Sequence, residues 1–352
     1  MTEGESGKPR VSDRTLDLEA AGRAAIALAV PLLVLLALDR IDLAVYASFG
    51  AFTGLYGRSE PYRVRLVSVT AAAIALVACI AAGVTLACLG QPLWLTALVL
   101  AVVIGGGVFA TAVIGWIPGQ PVFLVFALLV CGAIPTTWDE APTAIATAAL
   151  SAGFAWVVCM SGWVIRRLAG DRHAHHFRAL PRSPHRSFSA LKDEVVIRAA
   201  VVAVFGGLVT GAIALASGIG HPYWAVVAVV AVLPLAYAPF SLTRAWHRAA
   251  GTTIGVFIAA GILWLELPPI VIIAIVVVFQ FITEVVVAHH YGIALLFITP
   301  LALLVSNLSL PSEVLPLLAD RVLETAIGCA VAAVLVLTRR WWASRDSARS
   351  AS

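Results

Sequence analysis

Apart from a polar stretch near its middle, the chain between 21 and 338 is apolar sequence cut into runs of about twenty residues. The cuts fall at Gly, Pro or charge, as at Gly90-Gln91-Pro92, Trp116-Ile117-Pro118-Gly119 and Leu267-Pro268-Pro269. A helix needs about 20 apolar residues to cross the roughly 30 Å hydrocarbon layer. Only 12% of the residues are charged and 61% are apolar, against about 25% charged in soluble domains. Too few charges remain to cover a water-facing surface, so the solvent of this chain is largely lipid. The runs predict twelve spans, at 21–39, 42–57, 65–89, 92–114, 118–136, 142–165, 198–217, 222–241, 246–265, 268–288, 290–309 and 320–338. The expected fold class is therefore all-α and polytopic. The run from Ala24 to Leu38 ends in Asp39-Arg40 with no signal-peptidase pattern and reads as an uncleaved first span.

Charge placement orients the spans. With the N-terminus in the cytoplasm, 21 of the 23 Lys and Arg fall on the inner side, and only Arg40 and Arg321 lie toward the outer side. Outer loops carry Asp39, Asp42, Asp139, Glu140, Glu266 and Glu313 instead. This is the asymmetry of the positive-inside rule, and an odd number of spans in the first half would destroy it. Both termini are thus expected in the cytoplasm. The chain divides into a tail at 1–20, a six-helix half at 21–165, a basic linker at 166–197, a second six-helix half at 198–338 and a tail at 339–352.

The halves repeat. Arg23-Ala-Ala-Ile-Ala opens one and Arg198-Ala-Ala-Val-Val the other, Tyr46-Ala-Ser-Phe parallels Trp224-Ala-Val-Val, and both halves end in paired arginines, Arg166-Arg167 and Arg339-Arg340. Six spans in each half give parallel repeats related by an axis along the membrane normal; inverted repeats need an odd count.

The chemistry that these residues exclude is broad. No GxxxxGK[ST], HExxH or GxSxG pattern occurs, so neither nucleotide hydrolysis nor an enzyme of those classes is expected, and there is no basic soluble domain for nucleic acid. The five cysteines sit in apolar runs without a CxxC pair and read as small hydrophobes. His173, His175, His176 and His185 belong to the basic linker and read as solvated, near anionic headgroups, with no metal or cofactor expected. Small-xxx-small pairs at Gly50–Gly54, Gly207–Gly211 and Gly251–Gly255 read as helix-packing sites.

Four stretches of the second half carry a family resemblance: His221-Pro-Tyr-Trp-Ala, Leu242-Thr-Arg-Ala-Trp-His-Arg-Ala-Ala-Gly-Thr-Thr-Ile-Gly255, Tyr291-Gly-Ile-Ala-Leu-Leu-Phe-Ile-Thr-Pro-Leu, and Asp320-Arg-Val-Leu-Glu-Thr-Ala-Ile-Gly328. In order and spacing they resemble the fusaric-acid-resistance (FUSC) family of bacterial membrane proteins. The resemblance implies an exporter of aromatic acids, seated in the cell membrane.

Ionisable groups within spans are expensive and mark functional candidates. Arg248, at the inner mouth of the ninth span, and Arg321 are candidates to hold a carboxylate through a bidentate guanidinium, with Trp224 as a stacking surface for an aromatic ring. Both arginines also read as anchors or structural pairs, and Trp224 as a member of an aromatic belt. Arg321 and Glu324, three apart on one helical face, are expected to pair. Glu284, followed by His289 and His290, is a candidate proton relay or an interfacial turn. Pro234 and Pro239 are expected to interrupt the eighth span, and Thr299-Pro300 the eleventh. The leading expectation is a proton-coupled secondary exporter of small organic anions such as aromatic carboxylates. The alternatives are an anion channel, since plant aluminium-activated malate channels are distantly similar, and a non-transport scaffold or subunit in envelope biogenesis. The expected partners are the anion and the bilayer; an oligomer or accessory envelope protein is left open.

Overall fold

The structure, a computed structural model, describes residues 13–169, 186–238, 242–310 and 313–350. Pro239 and the linker histidines lie outside the described residues. Twelve α-helices run in order: α1 (Asp13–Ala37), α2 (Ala44–Ala51, lengthened by 3₁₀ turns to Ile41–Leu55), α3 (Tyr62–Cys88), α4 (Leu93–Ile114), α5 (Val122–Ala133), α6 (Ala141–Ala169), α7 (Glu194–Ala216), α8 (Tyr223–Val232), α9 (Thr243–Leu263), α10 (Pro269–Val286), α11 (Tyr291–Ser309) and α12 (Val314–Ser350). No strand occurs among the described residues. Eight of the helices are long and apolar enough to cross a membrane, so the all-α, membrane-spanning reading of the sequence holds.

Local signals set the helix ends. Asp193 caps α7 by accepting the Val195 N–H at 2.8 Å. The Tyr237 hydroxyl also donates to this carboxylate, and the two bonds hold it below the usual carboxylate range. Gly115 ends α4 in the left-handed conformation, φ 75°. On α9, exposed Trp246 and Trp264 lie eighteen residues apart, about 27 Å along a helix. That length is close to the hydrocarbon thickness, but α9 is not one of the eight helices apolar enough to cross.

Three expected spans are much shorter as helices. The run 222–241 yields only the ten residues of α8, about 15 Å long. The run 118–136 yields the twelve of α5, and 42–57 yields the short α2. Proline is the cause in the first two. Leu233 turns extended (ψ 136°) ahead of Pro234, as the residue before a proline must, and Pro118 and Pro121 keep the chain out of helix ahead of α5. Such breaks are tolerated because these helices sit inside the protein: α2 is buried along its whole length and α8 at every residue but Tyr223. The expected break at Thr299-Pro300 does not occur, and α11 runs unbroken through Pro300. Gly255 of α9 lies directly opposite, where a Cβ would come within 2.8 Å of Thr299 Cβ and 3.3 Å of Pro300 Cδ.

Helix neighbours recur when every helix number is advanced by six. Helix α3 packs on α5 and α6 as α9 packs on α11 and α12; α2 packs on α6 as α8 on α12. Two kinds of seam join the halves: α1 against α10 matched by α7 against α4, and α2 against α11 matched by α8 against α5. One end of the bundle gathers the start of α1 (Asp17 to Arg58) and the start of α7 (Asp193 to Tyr237), with Arg58, Gln120, Leu235 and Arg244 beside a common space. Helices α1 and α7 therefore begin at the same end, as a parallel duplication requires.

Close glycine contacts hold the α9–α11 pair. A Cβ on Gly251 would lie 2.7 Å from Gly292 O and 2.8 Å from Leu295 Cβ, whereas one on Gly261 of the same helix meets nothing within 4 Å. Gly251→Ala is expected to destabilise the protein by about 1–3 kcal/mol through overpacking. Gly261→Ala is expected to leave it unchanged or stabilise it by up to about 1 kcal/mol through helix propensity. Denaturation in detergent micelles reads both; equal effects would remove the close-approach role.

Candidate functional site

The four helices nearest the pseudo-axis, α2 and α5 with their counterparts α8 and α11, wall a cavity of about 400 Å³, within the range of small-molecule sites. Its two sides differ chemically. The first half contributes phenylalanines: Phe49, Phe52, Phe123 and Phe126 line it and contact one another edge to face, with centroids 4.9–5.5 Å apart. The second half contributes the guanidinium groups of Arg244, Arg248 and Arg321, while Arg58 of the first half and Glu284 of the second line the cavity as a pair.

Arg248 projects from the second turn of α9 and is 5% exposed. Its Nη1 donates to the Tyr291 hydroxyl at 3.3 Å, and its Nε has no partner. Arg321, on α12, is 1% exposed; its guanidinium lies 3.7 Å above the Trp224 ring, and its Nε and Nη1 have no partner. Arg244 is better satisfied. Its Nε donates to Ala231 O at 2.7 Å, its Nη2 to Gln120 Oε1 at 3.3 Å, and it stacks 4.2 Å over Tyr291. Among the described residues no carboxylate pairs with any of the three. Buried unpaired cations and idle N–H donors are costly, and an anion in the cavity answers both.

Trp224 is placed differently from either sequence reading. It is fully buried at the second position of α8, lies against Phe126 at 4.9 Å, and is neither an interfacial belt residue nor part of the cavity lining. It serves as the platform beneath Arg321. The expected Arg321–Glu324 ion pair is also absent. Glu324, fully buried, instead accepts the Trp224 N–H at 3.1 Å through Oε2, while Oε1 has no partner. The reason is local: the Trp224 N–H at the positive start of α8, shared with His221 O at 3.1 Å, draws the carboxylate, while the Trp224 face draws the guanidinium. Nearby, His221 Nδ1 and Asp320 Oδ2 meet at 2.7 Å.

Glu284 is buried near the end of α10 and lines the cavity. Its partner is Arg58, whose Nη1 donates to Glu284 O at 2.8 Å and lies 3.5 Å from Oε2; Gln280 Nε2 is 3.5 Å from Oε1. Neither His289 nor His290 is bonded to Glu284. His289, 53% exposed, faces Asp17 at 3.7 Å, and Asp17 pairs with Arg58. His290 is exposed and precedes α11. Among the described residues, the contacts that link His289 to Glu284 run through Asp17 and Arg58. Arg58 is the residue that sequence reasoning missed, because it read as one more inner-side cation. Arg65, also buried, is structural: its Nε donates to Gly57 O at 3.1 Å, with Glu19 at 3.7 Å. The described residues contain no group of three or more His, Cys, Asp and Glu placed to hold a metal.

Residues 208–335, spanning α7 to α12, match the family model described as fusaric acid resistance protein-like. The resemblance read from the four motifs thus holds over the half that supplies the guanidinium groups. The chain is also 33% identical over 94 residues to a Bacillus subtilis (strain 168) protein described as uncharacterized membrane protein YvaC. The match covers 27% of this chain and 15% of that protein, so the chain spans only a small part of its relative's length. No solved structure matches the chain.

Proposed function

We propose that this membrane protein, fusaric acid resistance-like over its second half, is a proton-coupled secondary exporter of small organic anions, aromatic carboxylic acids first among them. The observation that carries the reading is the cavity between the repeats, where unpaired Arg248 and Arg321 guanidinium groups face a phenylalanine wall. An amphipathic carboxylate complements both sides: its ring packs on the phenylalanines and its carboxylate takes the idle N–H donors in the bidentate geometry that arginine favours. The distribution of 21 of 23 cations supports a protein whose termini and arginine-rich end face the cytoplasm of a plasma membrane.

Glu324 and Glu284 are the buried carboxylates through which proton coupling would act; they lie toward opposite ends of the bundle. Glu324→Gln keeps the acceptor for the Trp224 N–H and removes the titration. The variant is expected to fold and to bind the anion, yet to lose uphill export by at least tenfold. Equal uphill export in variant and wild type would remove Glu324 from the coupling role. The experiment for the whole reading is direct efflux of a panel of aromatic acids from preloaded cells lacking and carrying the protein. Uphill efflux that collapses with an uncoupler supports the exporter. An ohmic anion current makes the protein a channel, and no flux with copurifying envelope enzymes makes it a scaffold.

A further inference from the structure

The two equivalent seams between the halves are filled differently at the arginine end. Where α1 meets α10, the space is occupied by Asp17, Arg58 and Glu284. Where α7 meets α4, the matching space is a second cavity of about 310 Å³. Its walls are small or apolar: Val108, Thr111 and Ala112 from α4, Ala199 and Ala203 from α7, and Val230 from the end of α8. Gly119, Gln120 and Leu235 line this chamber and the central cavity alike. The partition between them is thin. A Cβ on Gly119 would come within 2.7 Å of Leu235 Cδ1, so one leucine side chain leaning on a bare backbone separates the two spaces. Beside it stands Arg244, bonded to Gln120 at 3.3 Å.

We infer that this side chamber is a second, apolar subsite, which takes the tail of elongated amphipathic carboxylates whose head group sits on the central arginines. The inference rests on the anion-binding reading and extends it to a substrate class: aromatic acids bearing an alkyl chain or a second ring. Three features support this occupant. The chamber borders the anion site across Gly119, Gln120 and Leu235, so head and tail of one molecule reach both once the Leu235 side chain swings aside. Its lining offers no charge to pair, so a second anion is not favoured there. Its partition is a flexible side chain against a glycine, which yields without moving backbone.

The test is a chain-length series, benzoate against 4-ethyl-, 4-butyl- and 4-hexylbenzoate, titrated calorimetrically into the purified protein in lipid nanodiscs. Empty nanodiscs are titrated alongside to subtract partition into lipid. Affinity is expected to rise up to about fourfold per added methylene and to level off once the chamber is full. Ala112→Trp fills the chamber. It is expected to weaken hexylbenzoate at least tenfold while leaving benzoate within twofold. Affinity independent of chain length in the wild type overturns the subsite, and this arm needs no variant to fold. So does an Ala112→Trp loss that is equal for both acids. Phospholipid that stays bound to the protein when hexylbenzoate saturates it would assign the chamber to lipid and also overturn the inference. The anion-binding reading fails separately: in that case benzoate itself does not bind, or binds equally to Arg248→Ala.

Discussion

Arg248→Ala is expected to leave the protein folded and to weaken its binding of benzoate at least tenfold. In the wild type this guanidinium is buried, has one weak bond to Tyr291 and keeps an unpartnered Nε. The apo protein therefore gains little from it, and alanine relieves an unpaired buried charge rather than breaking a network. The anion loses a charge-assisted contact worth about 1.5–3 kcal/mol, which is about ten- to over a hundredfold in Kd. Arg248→Lys keeps the charge but not the planar fork, so it is expected to restore only part of the affinity. Arg244→Ala makes the contrast. Arg244 already spends its donors on Ala231 O and Gln120, so its loss is expected to lower stability more than affinity. Titration calorimetry and thermal melting of the three variants separate the two cases. A destabilised Arg248→Ala with normal benzoate affinity would make Arg248 an anchor.

The second large effect is structural. Arg58→Ala leaves the Asp17 and Glu284 carboxylates near each other without their common cation. All three side chains are about nine-tenths buried, so solvent screens the residual charges poorly. Removing one partner from such a pair is expected to cost about 3–5 kcal/mol. The loss falls on the α1–α10 seam, one of the contacts that hold the two halves together. Asp17→Asn with Glu284→Gln in the Arg58→Ala background removes the stranded charges and is expected to recover most of the loss. Denaturation in detergent measures both steps. A wild-type midpoint for Arg58→Ala alone would show that the cluster holds nothing together.

These two arginines show what was legible in the sequence and what was not. Arg248 was found because it stands inside an otherwise apolar span, where any charge is conspicuous. Arg58 sits at a helix end among Arg63 and Arg65, where inner-side cations are expected, and its partners lie 41 and 226 positions away. Hydropathy gave the long helices correctly, for lipid contact demands apolar length. It overran α5 and α8 because apolar residues continue past both helices as irregular backbone beside Pro118, Pro121 and Pro234, and hydropathy registers neither proline breaks nor the difference between lipid and a protein interior. Trp224 was misplaced for the same reason: its position just after Pro222-Tyr223 is equally suited to a membrane interface and to the buried start of a half-helix. Helical spacing put Arg321 and Glu324 on one face, yet shared face does not fix rotamers, and Trp224 draws each of them apart from the other.

The most direct measurement is flux in a defined system. Purified protein is placed in liposomes with radiolabelled benzoate at equal concentration inside and outside, a proton gradient is imposed, and net efflux is followed with and without an uncoupler. Wild-type protein should release benzoate against its gradient, faster than protein-free liposomes, with the uncoupler and Arg248→Ala each abolishing the uphill release. Release no faster than from protein-free liposomes, or uphill release unchanged in Arg248→Ala, would contradict an arginine-lined path for organic anions between the two halves.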